Sequence, residues 1–391
     1  MRKSSLIVYG ERDVRLHHQF LEDTVNESSI TFKPLLMLKG PMQDPLLLAY
    51  SFARKIDEIE DNQNIGEEER IALMDKVRAM LFGDKQSAID LEERLSWINP
   101  TEEKFRFLLK NTIKLYDAHE SMPDDIKKLT KKYLGEMTNG LRSPGIRNYF
   151  NFEGYHQYCH YTTGIIGFLI TKILRYGGVF DERDIKKVMP YPESTEIGKN
   201  PAHDWGIAIQ LYNDIRDFFD DDSQNKHKWP EILFDSRDIK YKDLVKINDT
   251  RDKKDKLEAE IEILSEDDPL AIKKRIDLDR TQTKIENIEG AHYDMCKDAR
   301  EYYIEGIRFI ETIPFDNSRG LECFGGIYGV VGATGRVVSS NEFLYNQNKR
   351  NITEREFKRI FRIVNKLTKQ KRSLRPFLEH VIDKPTEEFE L

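Results

Sequence analysis

Apolar residues recur every three or four positions along most of the chain, and sustained alternation of apolar and polar residues is scarce. Leu46, Leu47, Tyr50 and Ala53 illustrate this spacing, which is that of an amphipathic helix. Residues that break helices separate such segments at intervals typical of helix connections: Gly40-Pro41, Pro100, Pro123, Pro144-Gly145, Gly177-Gly178, Pro192 and Pro201. The pattern predicts an all-α protein, and we interpret 1–391 as one domain.

One segment, at about 236–289, is dense in Lys, Asp and Glu and poor in apolar residues. Charges of both signs at helical spacing favour exposed helices supported by i to i+4 pairs. We therefore predict a charged helical insertion, for which a hairpin that projects from the domain is one arrangement. A solvated insertion without chemistry is the main interpretation, and an arm that binds an unknown protein partner is the alternative.

A glycine-rich segment at 326–335 lacks the strand, turn and helix setting of a dinucleotide-binding fingerprint. We predict a helix here. Glycines three residues apart allow either close packing of helices or room for a long apolar ligand, and the sequence favours neither interpretation over the other.

The bulk composition excludes some classes of function. A chain of 391 residues that is 39% hydrophobic can build a large core. Its net charge of −7 leaves no general basic surface, so nucleic acid is not expected as a partner. Cys159, Cys296 and Cys323 are odd in number and widely spaced, which predicts neither a disulfide framework nor a zinc site. A reducing, cytoplasmic setting fits this cysteine usage best.

The start of the chain has too short an apolar stretch for a secretion signal. The longest weakly polar run, at 161–174, contains Lys172 and falls short of the roughly 20 apolar residues that span a bilayer. We therefore expect any contact with a membrane to be peripheral.

The first candidate site is the run DEIED at 57–61, in which Asp57 and Asp61 lie one helical turn apart with Glu60 beside them. The apolar residues at 46–48 indicate that this helix is largely buried. Like charges at this spacing destabilise a helix unless a cation lies between them, so the cluster suggests a bound cation.

The second candidate site is the run QLYNDIRDFFDD at 210–221. Offsets of three, seven and eleven residues predict that four polar side chains share one helix face: Gln210, Asn213, Asp217 and Asp221. Apolar residues occupy the opposite face, so the sequence predicts a polar stripe on a core helix.

Two such helices facing each other would present carboxylates to a hard cation, and Mg²⁺ typically combines one or two carboxylates with phosphate oxygens. Arg54 and Arg216, close to the acids of each motif, could donate hydrogen bonds to a leaving diphosphate. The alternative is that these are ordinary surface acids with arginine neighbours. The combination of both motifs favours the metal site.

The motifs resemble those of the squalene and phytoene synthase family, whose two acid helices have the forms DxxED and QxxNxxRDxxxD. Between them, YCHYTTGIIG at 158–167 is similar to the family's YCHYxxGxxG segment. KHKWPE at 226–231 is similar to the Trp-Pro segment of squalene synthases and is less expected in the carotenoid branch. The resemblance implies the single-domain α-helical isoprenoid synthase fold with a central apolar cavity.

By this resemblance, two groups of residues would bind substrate and metal. The metal ligands would be Asp57, Glu60, Asp61, Asn213, Asp217 and Asp221. Arg54 and Arg216 would contact phosphate oxygens, and Gln210 with Asn213 would complete the polar wall of the substrate site. Tyr158 would steady an allylic cation or help to remove a proton.

The chain departs from the family pattern at two places. The segment at 28–32, which would bring Ser29 and Phe32 to the substrate, offers hydroxyl groups and no positive charge, so Lys33 or Lys226 would have to supply a diphosphate contact. Thr162 and Thr163 stand where the family usually has small apolar residues, which alters the expected shape of the cavity.

The implied reaction is a Mg²⁺-dependent head-to-head condensation of two farnesyl or geranylgeranyl diphosphates, most simply to squalene through presqualene diphosphate. An NADPH-dependent reduction is left open, with Lys349 and Arg350 as candidates for the cofactor's phosphate. The alternatives are a phytoene or dehydrosqualene synthase without reduction, a synthase that stops at presqualene diphosphate, and a chain-elongating prenyltransferase or terpene cyclase on the same fold. A non-catalytic interaction scaffold is an alternative from a different class.

Overall fold

The computed structural model describes residues 11–28, 32–143, 146, 150–192, 194–223, 228–346 and 351–389. This part of the chain is helical and contains no β-strand, which confirms the predicted all-α class. Its helices are α1 (Glu11–Ser28), α2 (Gln43–Asp61), α3 (Glu67–Leu81), α4 (Lys85–Ser96), α5 (Arg106–Leu109), α6 (Thr112–Glu120), α7 (Asp124–Leu141), α8 (Phe152–Cys159), α9 (Ile165–Tyr176), α10 (Glu182–Val188), α11 (Pro201–Arg216), α12 (Phe218–Ser223), α13 (Ile232–Asp235), α14 (Tyr241–Val245), α15 (Ile247–Glu262), α16 (Pro269–Thr312), α17 (Ser318–Val338), α18 (Asn341–Tyr345), α19 (Glu354–Lys369) and α20 (Arg375–Asp383). Short 3₁₀ turns lie at Lys33–Met37, Glu103–Phe105 and Thr386–Glu388, and a π-helical turn at His160–Gly164 joins α8 to α9.

Helix α11 lies at the centre of the molecule. It packs against α16, α9, α17 and the π-helical turn, and its residues are buried on almost every side. Pro201 occupies the first turn, where a missing backbone N–H costs nothing, and Trp205 and Leu211 are fully buried. A helix that is surrounded in this way holds its polar side chains in fixed positions.

Two glycines allow the π-helical turn and α9 to lie against α11. A Cβ atom on Gly167 would come within 1.9 Å of the carbonyl oxygen of Ala202, and one on Gly206 would come within 2.3 Å of the carbonyl oxygen of Thr163. Both obstacles are backbone atoms, so no side chain could move to make room. These glycines therefore fix the distance between the YCHY segment and the second acid motif.

The glycine-rich segment at 326–335 lies within α17, which confirms the predicted helix. A Cβ atom on Gly326 would meet the ring of Phe361 at 2.1 Å, and one on Gly332 would meet the hydroxyl of Tyr303 at 2.3 Å. Protein side chains fill the space above these glycines, so close helix packing is the role that the structure supports.

The charged segment at about 236–289 forms α14, α15 and the first half of α16. Helix α15 packs along α16, which is 44 residues long and continues into the core, where its second half contacts α11. At the tip of this pair, Ile263 is 82% exposed and Leu270 is 50% exposed. The division of the chain into one domain and an insertion remains a prediction.

The weakly polar run at 161–174 forms most of the π-helical turn and α9, which ends at Tyr176. Its apolar residues, including Phe168 and Leu169, pack into the core. Within the described residues, no helix has both the length and the apolar character needed to cross a bilayer.

Candidate active site

The first acid motif lies in the last turn of α2. The opposite side of this helix carries Leu47, Phe52 and Ile56, which are completely buried. Asp57, Glu60 and Asp61 each present a carboxylate oxygen, and these oxygens lie within 4.8 Å of one another. The last turn contains no basic residue, and the helix dipole makes the C-terminal end unfavourable for negative charge. The cluster is therefore a place where a cation would be strongly stabilised.

Two other charged residues of α2 are buried but face away from this cluster. Glu58 accepts hydrogen bonds from the backbone N–H and the hydroxyl of Thr101, and burial raises the pKa of its carboxyl group. The ammonium of Lys55 donates to the carbonyl oxygen of Leu108 at 2.7 Å and to Thr112 Oγ1 at 2.6 Å, and burial lowers its pKa to about 7. These two side chains hold the neighbouring loop and α6 to α2.

Arg54 lies one turn before Asp57. Its guanidinium group pairs with Asp57 and stacks at 3.9 Å from the centre of the Phe105 ring. Stacking on an aromatic ring and pairing with a carboxylate hold the guanidinium group in one orientation beside the cluster.

Tyr158, in the YCHY segment, reaches the same cluster from α8. Its hydroxyl lies 3.5 Å from Glu60 Oε2 and can donate to it, and both side chains are almost completely buried. Burial, followed by the nearby Glu60 charge, raises the pKa of Tyr158 well above its ordinary value. The phenol is therefore neutral and acts as a hydrogen-bond donor to the carboxylate.

Thr162 and Thr163 lie in the π-helical turn. The hydroxyl of Thr162 donates to the carbonyl oxygens of Tyr158 and Cys159, and that of Thr163 donates to the carbonyl oxygen of Cys159. Both hydroxyl groups are used locally, so any contact of these residues with a prenyl chain would be made by their methyl groups. Their assignment to the substrate remains a prediction.

The second acid motif does not follow one continuous helix face. Helix α11 ends at Arg216, and Asp217 occupies the C-cap, where its backbone N–H still donates to the carbonyl oxygen of Asn213. Asp221 lies in the separate short helix α12, and its N–H donates to the carbonyl oxygen of Asp217. Arg216 makes a two-pronged pair with Asp217, with distances of 2.7 Å and 2.6 Å, and also donates to Asn213 Oδ1. The motif therefore extends past the end of α11 into a second short helix, which the helical spacing alone does not predict.

Lys228 joins the two acid motifs. Its ammonium nitrogen lies 3.3 Å from Asp61 Oδ2, 3.5 Å from Asp214 Oδ1 and 3.8 Å from Asp221 Oδ2. Since one nitrogen atom reaches carboxylates of both motifs, the end of α2 and the region after α11 lie on opposite sides of one site.

The indole of Trp229 fixes the position of this lysine. Trp229 is 2% exposed, its ring lies 4.5 Å from that of Phe218, and its Nε1 lies 3.5 Å from the carbonyl oxygen of Asp214. The Trp-Pro segment that the sequence singles out therefore anchors a cation beside the acid cluster.

Asp214 is a buried member of the site that sequence reasoning missed. Its carboxylate accepts hydrogen bonds from the Tyr155 hydroxyl at 3.0 Å and from Gln210 Nε2 at 2.9 Å. Burial raises its pKa to about 6, although Lys228 and the Tyr155 hydroxyl act in the opposite direction. The motif QxxNxxRDxxxD leaves this position open, but an acid within an otherwise buried helix and four residues after Gln210 was a usable signal.

Of three further residues predicted to bind substrate, only Phe32 lies within the residues that the structure describes. Ser29 and Lys226 lie outside the described residues, as do Lys349 and Arg350. Phe32 is described, and its ring packs 5.2 Å from that of Tyr50 on α2. Phe32 therefore lies against the helix that carries the first acid motif.

The residues present fit a magnesium site. Carboxylate oxygens are the hard ligands that Mg²⁺ prefers, and Asp57, Glu60 and Asp61 converge closely enough for two or more of them to share one ion. Asp221 approaches from the other side, since it contacts the same ammonium group as Asp61.

A comparison with protein-family models matches residues 26–264 to the squalene/phytoene synthase family. The chain belongs to this family. The match includes both acid motifs, the YCHY segment and the Trp-Pro segment, so the convergence described above is built from the family's own motifs. The same comparison confirms the resemblance that the motifs predict.

Curated relatives agree with this assignment. The chain is similar to squalene synthase from Candida albicans, with 23% identity over 219 residues that cover 54% of this chain and 45% of the relative. Human squalene synthase is 23% identical over 226 residues, which cover 55% of this chain and 47% of the relative. The matched region spans about half the length of these relatives.

Two solved structures share the fold. A ligand complex of TcSQS superposes with a TM-score of 0.61 and 17% identity, covering 95% of this chain and 96% of that one. A dehydrosqualene synthase bound to a ligand gives a TM-score of 0.53 and 13% identity, covering 92% and 99%. The likeness confirms the α-helical isoprenoid synthase fold that the family resemblance implies.

Proposed function

We propose that the protein catalyses the Mg²⁺-dependent head-to-head condensation of two prenyl diphosphates, most simply two farnesyl diphosphates to squalene through presqualene diphosphate. The observation that carries this proposal is the position of Lys228, whose single ammonium group contacts carboxylates of both acid motifs. Acid motifs that meet in this way can hold two diphosphate groups close together.

In this proposal Asp57, Glu60 and Asp61 bind Mg²⁺ from one side of the site, and Asn213, Asp217 and Asp221 bind it from the other. Bound Mg²⁺ supplies positive charge that stabilises a departing diphosphate. The protein supplies fixed ligands: α2 and α11 are both anchored in the core, so the carboxylates do not need to be ordered when substrate arrives.

Arg54 and Arg216 supply cationic hydrogen-bond donors at the two ends of the site. Each is now paired with an aspartate, Asp57 or Asp217. When that carboxylate turns to a metal ion, the guanidinium group can bind phosphate oxygens in the same two-pronged geometry. Both arginines therefore act in leaving-group binding.

Tyr158 acts on the hydrocarbon side. Its pKa is raised, so it remains a neutral phenol at physiological pH and is a poor base by itself. Its oxygen can steady a nearby carbocation, and its hydroxyl, which lies within reach of Glu60, holds the orientation of that ligand. In the proposed reaction it positions the site and shields it from water.

Farnesyl diphosphate is the preferred substrate in this proposal because the Trp-Pro segment is typical of squalene synthases, and Trp229 has a structural role in the site. Geranylgeranyl diphosphate, with a phytoene product, is the alternative. NADPH would be required only for squalene. A peripheral contact with a membrane and a protein partner for the charged insertion also remain proposals.

Product analysis tests this function. The purified protein is incubated with Mg²⁺ and either farnesyl or geranylgeranyl diphosphate, with and without NADPH, and the extracts are identified by mass spectrometry. We expect a C30 hydrocarbon that appears with farnesyl diphosphate and needs NADPH. Presqualene diphosphate as the only product would indicate a synthase that stops at this intermediate. A C30 or C40 polyene formed without NADPH would indicate a dehydrosqualene or phytoene synthase. Release of diphosphate with only C15 or C20 products would indicate a cyclase, and no reaction at all would favour a scaffold.

A further inference from the structure

We propose that Lys228 is a built-in counter-cation, which holds the two acid motifs together when no divalent metal is bound and gives up Asp61 and Asp221 to the metal by withdrawing onto Asp214. This inference rests on the proposed function only in placing the metal between Asp61 and Asp221. It gives Lys228 and Asp214 a role that neither acid motif predicts.

Three carboxylates surround the ammonium group of Lys228. Asp61, Asp214 and Asp221 all lie within 4 Å of it, and the side chain of Lys228 is 13% exposed. Like-charged carboxylates at such separations repel one another, and the repulsion is strong where water is largely excluded. Without a cation between them, the end of α2 and the start of α12 would be pushed apart.

A divalent metal ion would compete with Lys228 for the carboxylates of Asp61 and Asp221. The oxygen of Asp61 that contacts Lys228 is a carboxylate oxygen of the cluster whose geometry fits Mg²⁺. Asp221 likewise offers Oδ2 to the ammonium group. A divalent cation that uses these oxygens must reduce their contact with Lys228, since a metal ion and an ammonium group cannot occupy the same position.

Asp214 is the carboxylate to which Lys228 withdraws. Asp214 is not aligned with the metal ligands, because its two oxygens are directed to Tyr155 and Gln210 inside the core. These bonds hold the carboxylate still, and Asp214 Oδ1 is already 3.5 Å from the ammonium nitrogen. Lys228 can therefore keep a buried partner after it leaves Asp61 and Asp221, which avoids a buried, uncompensated charge.

The test measures metal binding and stability rather than turnover. Mn²⁺ replaces Mg²⁺ because the electron paramagnetic resonance signal of free Mn²⁺ gives the bound fraction directly. The variants are Lys228→Met, Asp214→Asn, the double variant, and Lys76→Met as a control with the same change in charge. Lys76 pairs with Asp90 on the surface, away from the acid motifs.

We expect Lys228→Met to melt several degrees lower without metal, because the carboxylates lose their counter-cation, and to bind Mn²⁺ on the order of tenfold more tightly. Asp214→Asn should bind Mn²⁺ severalfold more weakly, since Lys228 then keeps its hold on Asp61 and Asp221. In the Lys228→Met background the Asp214 substitution should have a clearly smaller effect, because its action passes through the lysine. Lys76→Met should change neither property.

Unchanged stability without metal, together with Mn²⁺ binding that is no tighter in Lys228→Met, would overturn the proposal. If Lys228→Met cannot be obtained folded, Asp214→Asn decides alone: weaker Mn²⁺ binding supports the role of Asp214, and equal or tighter binding overturns it. A protein that shows the expected Mn²⁺ pattern but makes no condensation product would refute the proposed function and leave this inference intact.

Discussion

The two acid motifs of this protein are similar in sequence but differ in how their negative charge is compensated. At the end of α2, three carboxylates gather within 4.8 Å, and the last turn of the helix contains no basic residue. After α11, Asp217 is held by Arg216, and Asp214 is held by Tyr155 and Gln210. The first region is therefore compensated by Arg54 of its own helix and by Lys228 from a distant segment, whereas Asp217 in the second region is compensated by the residue directly before it.

This difference suggests that the two regions have different roles. In the proposed function the cluster on α2 is the better metal site, because its carboxylates converge and their charge is unfavourable without a cation. The region after α11 would present Arg216 and Asp221 to the metal ion and the diphosphate. Lys228 connects the two, since it contacts Asp61 on one side and Asp221 on the other.

The largest effect is expected from Asp61→Asn, which removes a charge from the converging cluster. We predict a loss of about a thousandfold in the rate of diphosphate release with farnesyl diphosphate, comparable to the loss of a major transition-state interaction in other enzymes. Asp90→Asn, an exposed acid paired with Lys76, is the matched control and should retain activity. A loss of less than tenfold in Asp61→Asn would mean that the α2 cluster is not the principal metal site.

A smaller effect is expected from Arg216→Lys in the second region. Lysine keeps the charge but cannot make the two-pronged contact with Asp217 while also bonding to Asn213. We predict roughly a tenfold to hundredfold fall in kcat/KM, measured by steady-state assay of diphosphate release. Near-normal kinetics would show that Arg216 contributes charge alone and that its geometry is unimportant.

Two tyrosines of α8 contact different acid motifs, so their substitution tests the two regions separately. Tyr158 lies within reach of Glu60 and Tyr155 bonds to Asp214. We predict that Tyr158→Phe lowers the condensation rate about tenfold with little change in stability, whereas Tyr155→Phe chiefly lowers stability, by about 1 kcal/mol. Single-turnover kinetics and urea unfolding measure the two quantities. The reverse assignment of effects would contradict the roles given to the two regions.

A pH-dependent effect on stability is expected from Asp204, a buried acid of α11 outside both motifs. Burial raises its pKa from 3.8 to about 8. Between about pH 4 and pH 8 the unfolded chain has therefore lost this proton while the folded protein retains it, so this group makes the protein less stable as the pH rises. Asp204→Asn should consequently gain more stability at pH 8 than at pH 5, by about 3 to 4 kcal/mol. Equal gains at both pH values, measured by urea unfolding, would contradict the raised pKa.

The helical class and the convergence of the first acid motif were readable from the sequence because each depends on local spacing. Asp57 and Asp61 must share a face whenever 43–61 is helical, and the apolar residues of α2 fix which face is buried. The YCHY glycines were recognisable as a motif, but their function in bringing α9 against α11 required the positions of both helices.

The remaining features depend on contacts between distant residues. Lys228 and Asp61 are 167 residues apart, and no local pattern relates them. Asp214 was missed because the motif directs attention to Asn213 and Asp217 on either side of it. The end of α11 at Arg216 was missed because helical periodicity continues in the sequence through Asp217, the single residue that separates α11 from α12.

Binding of inorganic diphosphate in the presence of Mn²⁺ would show whether both acid motifs form one metal and diphosphate site. Isothermal titration calorimetry would compare the natural protein with Asp61→Asn and Asp221→Asn. We predict that either substitution abolishes or greatly weakens the Mn²⁺-dependent binding of diphosphate. Normal binding in Asp221→Asn beside a complete loss in Asp61→Asn would contradict it, because the two motifs would then not share a site.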